Sequence, residues 1–174
     1  MKLKFKIFLI LFLSITISSS AELRLKSFSP TGGLIYPGSS WKTGFQVGLT
    51  ADILSLTETF SIFANFKYWE ANYDRDYLSE LKLSNLALGT DLRYNIAESG
   101  IYLGCGVNQN WLHRDYQGSG LPTEPKQRIG IKVLSGYNIS FNDYNSFFTE
   151  LSYNRVDDYD VIGLQVGLYV YLID

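Results

Sequence analysis

The sequence predicts an all-β protein whose eight antiparallel strands close into an up-and-down barrel. Three observations indicate this fold: apolar and polar residues alternate with period two in one segment after another, these segments are long, and the connections between them alternate between long and short. Residues 41–53, WKTGFQVGLTADI, alternate without a break, with Phe45 and Val47 on one side and Lys42 and Gln46 on the other. Because side chains of a strand point to opposite faces in turn, each such segment is a strand with one apolar and one polar face.

The first 21 residues are predicted to be a cleaved signal peptide, and residues 22–174 to form the barrel domain. MKLKFKIFLILFLSITISSSA opens with three lysines, continues with an apolar run from Ile7 to Ile17, and ends in small residues with Ser19 and Ala21 at the cleavage positions. An uncleaved anchor is the alternative, but it requires about 20 apolar residues, more than this run supplies. The domain is therefore expected to be exported.

The predicted strands are about 8 to 14 residues long, which suits a tilted membrane-spanning strand better than an average soluble one. They cover residues 22–29, 41–53, 59–70, 85–94, 101–112, 129–139, 147–155 and 160–172. Leu81 and Leu83 are out of phase with the fourth strand, which predicts a β-bulge near Ser84.

The connections predict which ends of the strands lie together. The first, third and fifth strands are followed by the long segments SPTGGLIYPGSS, ANYDRDYLSE and HRDYQGSGLPTEPKQ. The second, fourth and sixth are followed by the short turns LSLTE, NIAESG and SFNDYN, and the seventh by the brief VDDY. Long loops at one end and tight turns at the other are typical of a transmembrane barrel.

The polar face of the strands is predicted to line a narrow lumen, and the apolar face to contact lipid. The polar face carries many glycines, which gain nothing from facing water but leave room for large neighbours inside a small barrel. It also carries charged residues that are expected to form a network of ion pairs across the lumen: Lys42, Asp52, Lys67, Asp91, Arg93, Lys132 and Glu150.

Aromatic residues near the strand ends predict two girdles at the membrane–water interfaces. The girdle residues near the long loops are Trp41, Tyr68, Trp111 and Tyr153, and those near the short turns are Tyr94 and Phe147. Other aromatic residues point inward by parity, so the girdles are partial.

Composition excludes several classes of function. Without the three lysines of the signal peptide, the chain has 12 basic and 17 acidic residues, a net charge of about −5, which argues against nucleic-acid binding.

Cys105 is the only cysteine and His113 the only histidine, too few for a plausible metal site. Asp157, Asp158 and Asp160 form an acidic loop that is more simply solvated than calcium-binding. The glycine-rich pieces GCG and GSG lack the strand-to-helix context of a phosphate loop, so no cofactor is expected.

On these residues the chain from 22 to 174 resembles the small eight-stranded outer-membrane β-barrel proteins, namely OmpX-like proteins and the transmembrane domain of OmpA-like proteins, which are porin-family-like. The resemblance rests on WKTGFQVGLTADI, on the rhythm of strands and loops, and on the closing strand VIGLQVGLYVYLID. It implies a monomer in the outer membrane of a Gram-negative bacterium, surrounded by lipid and lipopolysaccharide and inserted by the barrel assembly machinery. Such barrels usually end in an aromatic residue, whereas this chain ends Leu172-Ile173-Asp174.

The expected function is non-enzymatic: a structural or adhesion-like surface role carried by extracellular loops such as NYDRDY and HRDYQ. No large pore is expected, because eight strands leave an interior just wide enough for side chains. Two alternatives remain open, a lipid A-modifying enzyme that uses His113 with Asp115 and Ser119, and a narrow porin-like channel. A soluble lipocalin-like barrel would need an apolar interior, against which the inward glycines and charges argue.

Overall fold

A computed structural model describes residues 25–38, 40–73, 81–96, 99–116 and 125–172, which form a closed antiparallel barrel. Its strands are β1 (Ser27–Tyr36), β2 (Gly44–Ser55), β3 (Phe60–Asn72), β4 (Leu81–Asn95), β5 (Ile101–Tyr116), β6 (Lys126–Asn142), β7 (Asn145–Val156) and β8 (Tyr159–Tyr171). Each strand pairs with its neighbours in the sequence, and β8 pairs with β1. The predicted fold class is confirmed. The signal peptide predicted over residues 1–21 lies outside the described residues.

The closed sheet explains how the backbone can lie in lipid. Ladders between all neighbouring strands satisfy the backbone polar groups within the sheet, and closure removes the free edges. Within the described part of the chain, no helix is both long and apolar enough to cross a membrane.

The first strand lies further along the chain than predicted. β1 begins at Ser27 and includes SFSPTGGLIY, most of which was expected to be loop. Pro30 and two glycines suggested a turn, yet Gly33 lies where β1 and β8 approach so closely that a Cβ atom would overlap the backbone of Leu164. Pro30 lacks an N–H, and the β1–β8 ladder is interrupted at Ser29 and Pro30 without a change of register.

The bulge predicted near Ser84 is absent, because β4 pairs with both neighbours in one unbroken register from Leu81 to Asn95. Leu81 and Leu83 are out of phase with the apolar outer face for another reason: both are buried inside the barrel. Register shifts occur instead between Asp52 and Leu54 on β2, opposite β3, and on β6 near its lower end.

The outer face of the barrel is apolar and exposed, as predicted. Ile129 and Ile131 are 69% and 65% exposed, values that are unusual for a water-soluble protein but expected for residues in contact with lipid. The same face carries Leu34, Phe45, Val47, Leu49, Phe66, Leu88, Leu103, Val133, Leu151, Ile162 and Leu164. This apolar belt continues around all eight strands, which makes the barrel a membrane-spanning one.

The interior has three layers, whereas the prediction was a mainly polar lumen with a few inward aromatic residues. We call the end with the tight turns the lower end and the opposite end the upper end. A lower cluster consists of Phe63, Tyr102, Leu134, Phe148 and Tyr169, and an upper cluster of Ile35, Trp41, Trp69, Ala71, Leu81, Leu83, Leu112, Val156, Tyr159 and Val161. Charged and amide side chains fill the space between these two clusters.

Candidate functional site in the barrel interior and on the upper rim

A charged layer occupies the middle of the interior. It comprises five of the residues predicted for the lumen network: Lys67 of β3, Asp91 and Arg93 of β4, Lys132 of β6, and Glu150 of β7. Strand parity turns all five inward, and none is more than 8% exposed. Charged groups that are buried so completely require partners, since an isolated charge is costly to remove from water.

Arg93 and Glu150 form the centre of this layer. An Nη atom of Arg93 lies 2.8 Å from Oε2 of Glu150, and these side chains are 2% and 0% exposed. Glu150 also accepts hydrogen bonds from Gln165 Nε2 at 2.8 Å and from the Tyr102 hydroxyl at 3.1 Å. Arg93 in turn donates to the Tyr169 hydroxyl, and its guanidinium stacks over the ring of Phe63 with 4.1 Å to the centroid. Arg93 therefore joins the charged layer to the lower cluster.

A second ion pair extends the layer toward β6. Lys132 Nζ lies 2.6 Å from Asp91 Oδ2, and Arg93 lies 3.9 Å from the same oxygen. Lys67 Nζ is 3.7 Å from Glu150 Oε1. The five side chains thus form one continuous group.

Two glycines allow these partners to meet across an intervening strand. Gly106 of β5 is in register with Asp91 on one side and Lys132 on the other, and a Cβ there would overlap the Asp91 carboxylate. Gly136 of β6 lies in the same way between Tyr102 and Glu150, and a Cβ there would overlap the Tyr102 ring. Each glycine leaves the space through which two larger side chains make contact.

The two remaining residues of the predicted network lie elsewhere. Lys42 is exposed in the connection before β2, where the parity of the strand no longer applies, so the prediction that it faces the lumen is wrong. Asp52 lines a cavity of about 170 Å³ at the lower end, together with Arg93, Tyr102 and Tyr169. A smaller cavity of about 30 Å³ lies in the middle of the barrel, beside Lys67 and Lys132.

Five of the six predicted girdle residues lie on the outer face: Tyr68, Trp111, Tyr94, Phe147 and Tyr153. Trp41 does not, and this assignment is corrected. It precedes β2, is only 7% exposed, and packs edge-on against Tyr73 with ring centroids 5.2 Å apart. Trp41 therefore belongs to the upper cluster, which fills the barrel above the charged layer.

The upper part of the outer face carries polar groups. His113 Nε2 lies 2.6 Å from Asp115 Oδ1, and Ser84 is the β4 residue in register with His113. Glu70 of β3 is in register with Ser84 on the side of β4 opposite His113. The carboxylate of Glu70 lies 2.6 Å from Lys82 Nζ. Ser119, which the sequence suggested as a partner of His113, lies outside the described residues.

The acidic turn between β7 and β8 is paired with basic and hydroxyl groups. Asp157, at a left-handed φ of 56°, forms an ion pair with Arg128, whose Nε lies 2.9 Å from Asp157 Oδ2. Asp160 accepts a hydrogen bond from the Tyr153 hydroxyl at 2.6 Å. Among the described residues no group of three or more histidine, cysteine or acidic side chains is arranged to hold a metal ion.

No protein-family model and no curated protein matches this chain. Solved structures do match. Neisserial surface protein A is 17% identical with a TM-score of 0.60, covering 88% of this chain and 100% of that chain. A major outer membrane protein from Thermus thermophilus is 11% identical with a TM-score of 0.58 over 88% and 100%. Ail, the attachment invasion locus protein of Yersinia pestis, is 12% identical with a TM-score of 0.53 over 86% and 100%.

The chain has the fold of the small eight-stranded outer-membrane β-barrels. At these identities the likeness shows the fold alone. This fold agrees with the closed sheet and with the apolar belt, and the belt is the feature that requires lipid around the barrel.

Several interior residues of this barrel were not identified from the sequence. Tyr102 and Tyr169 were placed inward by parity but were not connected with the charged residues. The local sequence does not show which residues of neighbouring strands lie opposite each other. Leu83 and Leu112 were missed because aliphatic residues were expected on the lipid-facing side. The sequence did contain an indication that aliphatic residues lie inside. In the alternation of β4, Leu81 and Leu83 fall on the inward face.

The charged layer predicts strong coupling between Arg93 and Glu150. Arg93→Met or Glu150→Gln alone is expected to lower the free energy of unfolding by roughly 3–5 kcal/mol, since each leaves a buried charge without its partner. The double variant should lose about 0.5–3 kcal/mol less than the sum of the two single variants. Urea unfolding of the refolded barrel in lipid vesicles measures these free energies.

Lys82→Met with Glu70→Gln, a pair on the outer face, is the matched control, with an expected cost of about 0–1 kcal/mol. Equal costs for the two pairs would contradict the assignment.

The space left by Gly136 predicts that a larger residue at this position destabilises the barrel. Gly136→Ala forces its methyl group against Tyr102, and overpacking of this kind costs roughly 1–3 kcal/mol. Gly32→Ala is the control, because no atom lies within 4 Å of the added Cβ. The temperature at which the folded band shifts on gel electrophoresis should fall for Gly136→Ala and stay near wild type for Gly32→Ala. An unchanged temperature for Gly136→Ala would show that the ring moves without cost.

Proposed function

We propose that this outer-membrane barrel is a non-enzymatic surface protein that contacts a partner through its extracellular loops. The observation that carries the proposal is the filled interior. The charged layer and the upper cluster occupy the middle and upper parts of the lumen, so the barrel offers no wide path for solutes. The surface left for recognition is the upper rim with its loops.

The side chains of the upper rim indicate which class of partner the barrel contacts. Three of the described basic residues there form ion pairs with carboxylates: Arg128 with Asp157 at 2.9 Å, Arg155 with Asp160 at 3.9 Å, and Lys82 with Glu70. A rim that carries both signs of charge together with tyrosine favours a protein or glycan partner. Ail, the attachment invasion locus protein of Yersinia pestis, has also been crystallised with the heparin analogue sucrose octasulfate. The name of this structural neighbour supports an attachment role.

The membrane surroundings follow from the same geometry. The apolar belt contacts lipid, and the polar groups of the upper outer face lie where lipopolysaccharide headgroups would be. A closed sheet has no free edge for strand exchange, which supports a monomer. Insertion by the barrel assembly machinery remains an expectation of the fold.

The test exchanges loops and leaves the barrel intact. Residues 74–80 and 117–124, replaced separately by glycine-serine segments of equal length, should each be compared with wild type on cells that otherwise lack the protein. Adhesion to host cells or matrix proteins is expected to fall several-fold in at least one loop variant, because the contact surface is lost while the strands remain. Replacement of residues 56–59 in a lower turn is the control.

Two outcomes would contradict the proposal: wild type that adheres no better than cells without the protein, or adhesion that survives both replacements. Heat-dependent gel mobility establishes that each variant is folded. In planar bilayers the wild-type protein is expected to show conductance at background level, and a large steady conductance would favour the channel alternative.

A second candidate function rests on one observation, the row formed by Ser84, His113 and Asp115. His113 is paired with Asp115 and lies beside Ser84 across neighbouring strands, where directly opposed Cβ atoms are about 4.5–5.5 Å apart. A serine, a histidine and a carboxylate side by side are the groups of a hydrolase. They face the outer leaflet, where the acyl chains of lipid A lie.

Mass spectrometry of lipid A decides between the two candidates. Under the primary proposal, cells that express the wild-type protein have lipid A of unchanged mass. The enzymatic candidate requires the loss or gain of an acyl chain that disappears in His113→Ala and in Ser84→Ala but persists in Ser99→Ala, a serine in a lower turn. Identical spectra for wild type and His113→Ala would exclude it.

A further inference from the structure

We propose that the central cavity of the barrel binds one small monovalent anion of halide size, such as chloride. The cavity has a volume of about 30 Å³, room for one or two particles the size of water. Its polar wall includes Lys67, Lys132, Asn65 and Asn108, and its upper wall is formed by Ile35, Trp69 and Val161 of the upper cluster and by Ala87.

The first argument is charge. In the charged layer, the cations of Lys67, Arg93 and Lys132 face two carboxylates, Asp91 and Glu150, which leaves one net positive charge. Asp52 lies against the other, lower cavity. An uncompensated charge is expensive when it is buried beside apolar side chains, so the site favours a bound negative ion.

The second argument is where the excess charge lies. Lys132 has a close partner in Asp91 at 2.6 Å, and Glu150 is engaged by Arg93, Gln165 and Tyr102. Among the described carboxylates, the one within reach of the Lys67 ammonium is Glu150, and at 3.7 Å this contact is too long for a hydrogen bond. The least neutralised cation of the layer therefore borders the central cavity.

The third argument is the supply of donors. Asn65 is 3% exposed, and its Nδ2 has no hydrogen-bond partner. Asn108 accepts from Asn110 through Oδ1 at 2.7 Å, which leaves its own amide nitrogen to donate elsewhere. Two ammonium groups and two amides around one small space are the donor set that a halide ion needs, and a buried donor left without a partner costs free energy. The wall also carries acceptors, among them Asn154 Oδ1, so a lone water is the competing occupant.

Crystallography with bromide tests this directly. Crystals of the purified barrel grown in sodium bromide, measured at the bromine absorption edge, are expected to show an anomalous peak in the central cavity next to Lys67 Nζ. Asn65→Asp supplies a fixed carboxylate in place of the ion and should abolish the peak. Lys67→Gln removes the charge that attracts the ion and serves if the first variant does not fold. Lys82→Gln, which removes a cation from the outer face, should keep the peak.

Stability gives an independent readout, because a ligand that binds only the folded state raises the unfolding midpoint. At equal ionic strength, wild type should unfold at a higher temperature in chloride than in gluconate, which is too large for the cavity. The difference should vanish in Asn65→Asp or Lys67→Gln and persist in Lys82→Gln. A cavity that holds water without an anomalous peak, together with equal midpoints in the two salts, overturns the proposal.

Discussion

The narrowness of an eight-stranded barrel is the constraint on which the rest of this structure depends. Inward side chains from all strands share a lumen only wide enough for side chains to fill, so a large residue can extend only where a neighbour is small. Gly106 and Gly136 show how this is solved: each is flanked in register by two long polar residues that meet over it. The Asp91–Lys132 ion pair and the Tyr102–Glu150 hydrogen bond form where these positions have no side chain.

This constraint also explains the layered interior. The charged layer satisfies its own members through Arg93 and Glu150, and the two apolar clusters remove water on either side of it. With less water nearby, each charge interacts more strongly with its partners, while any group left unpartnered becomes more costly. At the small cavity, the charge of Lys67 is the one that its partners neutralise least.

Period-two alternation predicted the inward direction of Lys67, Asp91, Arg93, Lys132 and Glu150. Together with strand length, the alternating connections and the composition of the polar face, it also predicted the fold class and the lipid-facing side. It succeeded there because the strands are long and the parity of a side chain within a strand depends only on its own sequence. It failed for Trp41 and Lys42, which precede the strand to which the parity was applied. Pro30, Gly32 and Gly33 misled the assignment of β1 because residues typical of turns can also serve close strand packing.

What the sequence could not supply was the register between strands. That Tyr102, Gly136 and Glu150 lie in one row across β5, β6 and β7 depends on pairings between distant segments, which no local pattern specifies. The same holds for Ser84 beside His113. The phase of Leu81 and Leu83 was visible, but it was explained by a bulge because leucines were expected to face lipid.

Pro30 has a consequence for how the barrel is completed. The β1–β8 ladder joins the two ends of the domain, and it is the ladder that lacks its hydrogen-bonded pairs at Ser29 and Pro30. All other ladders join strands adjacent in the chain and can form by local zipping, whereas this one must wait for the last strand. We expect the interrupted ladder to form last, which makes it the closing seam of the cylinder.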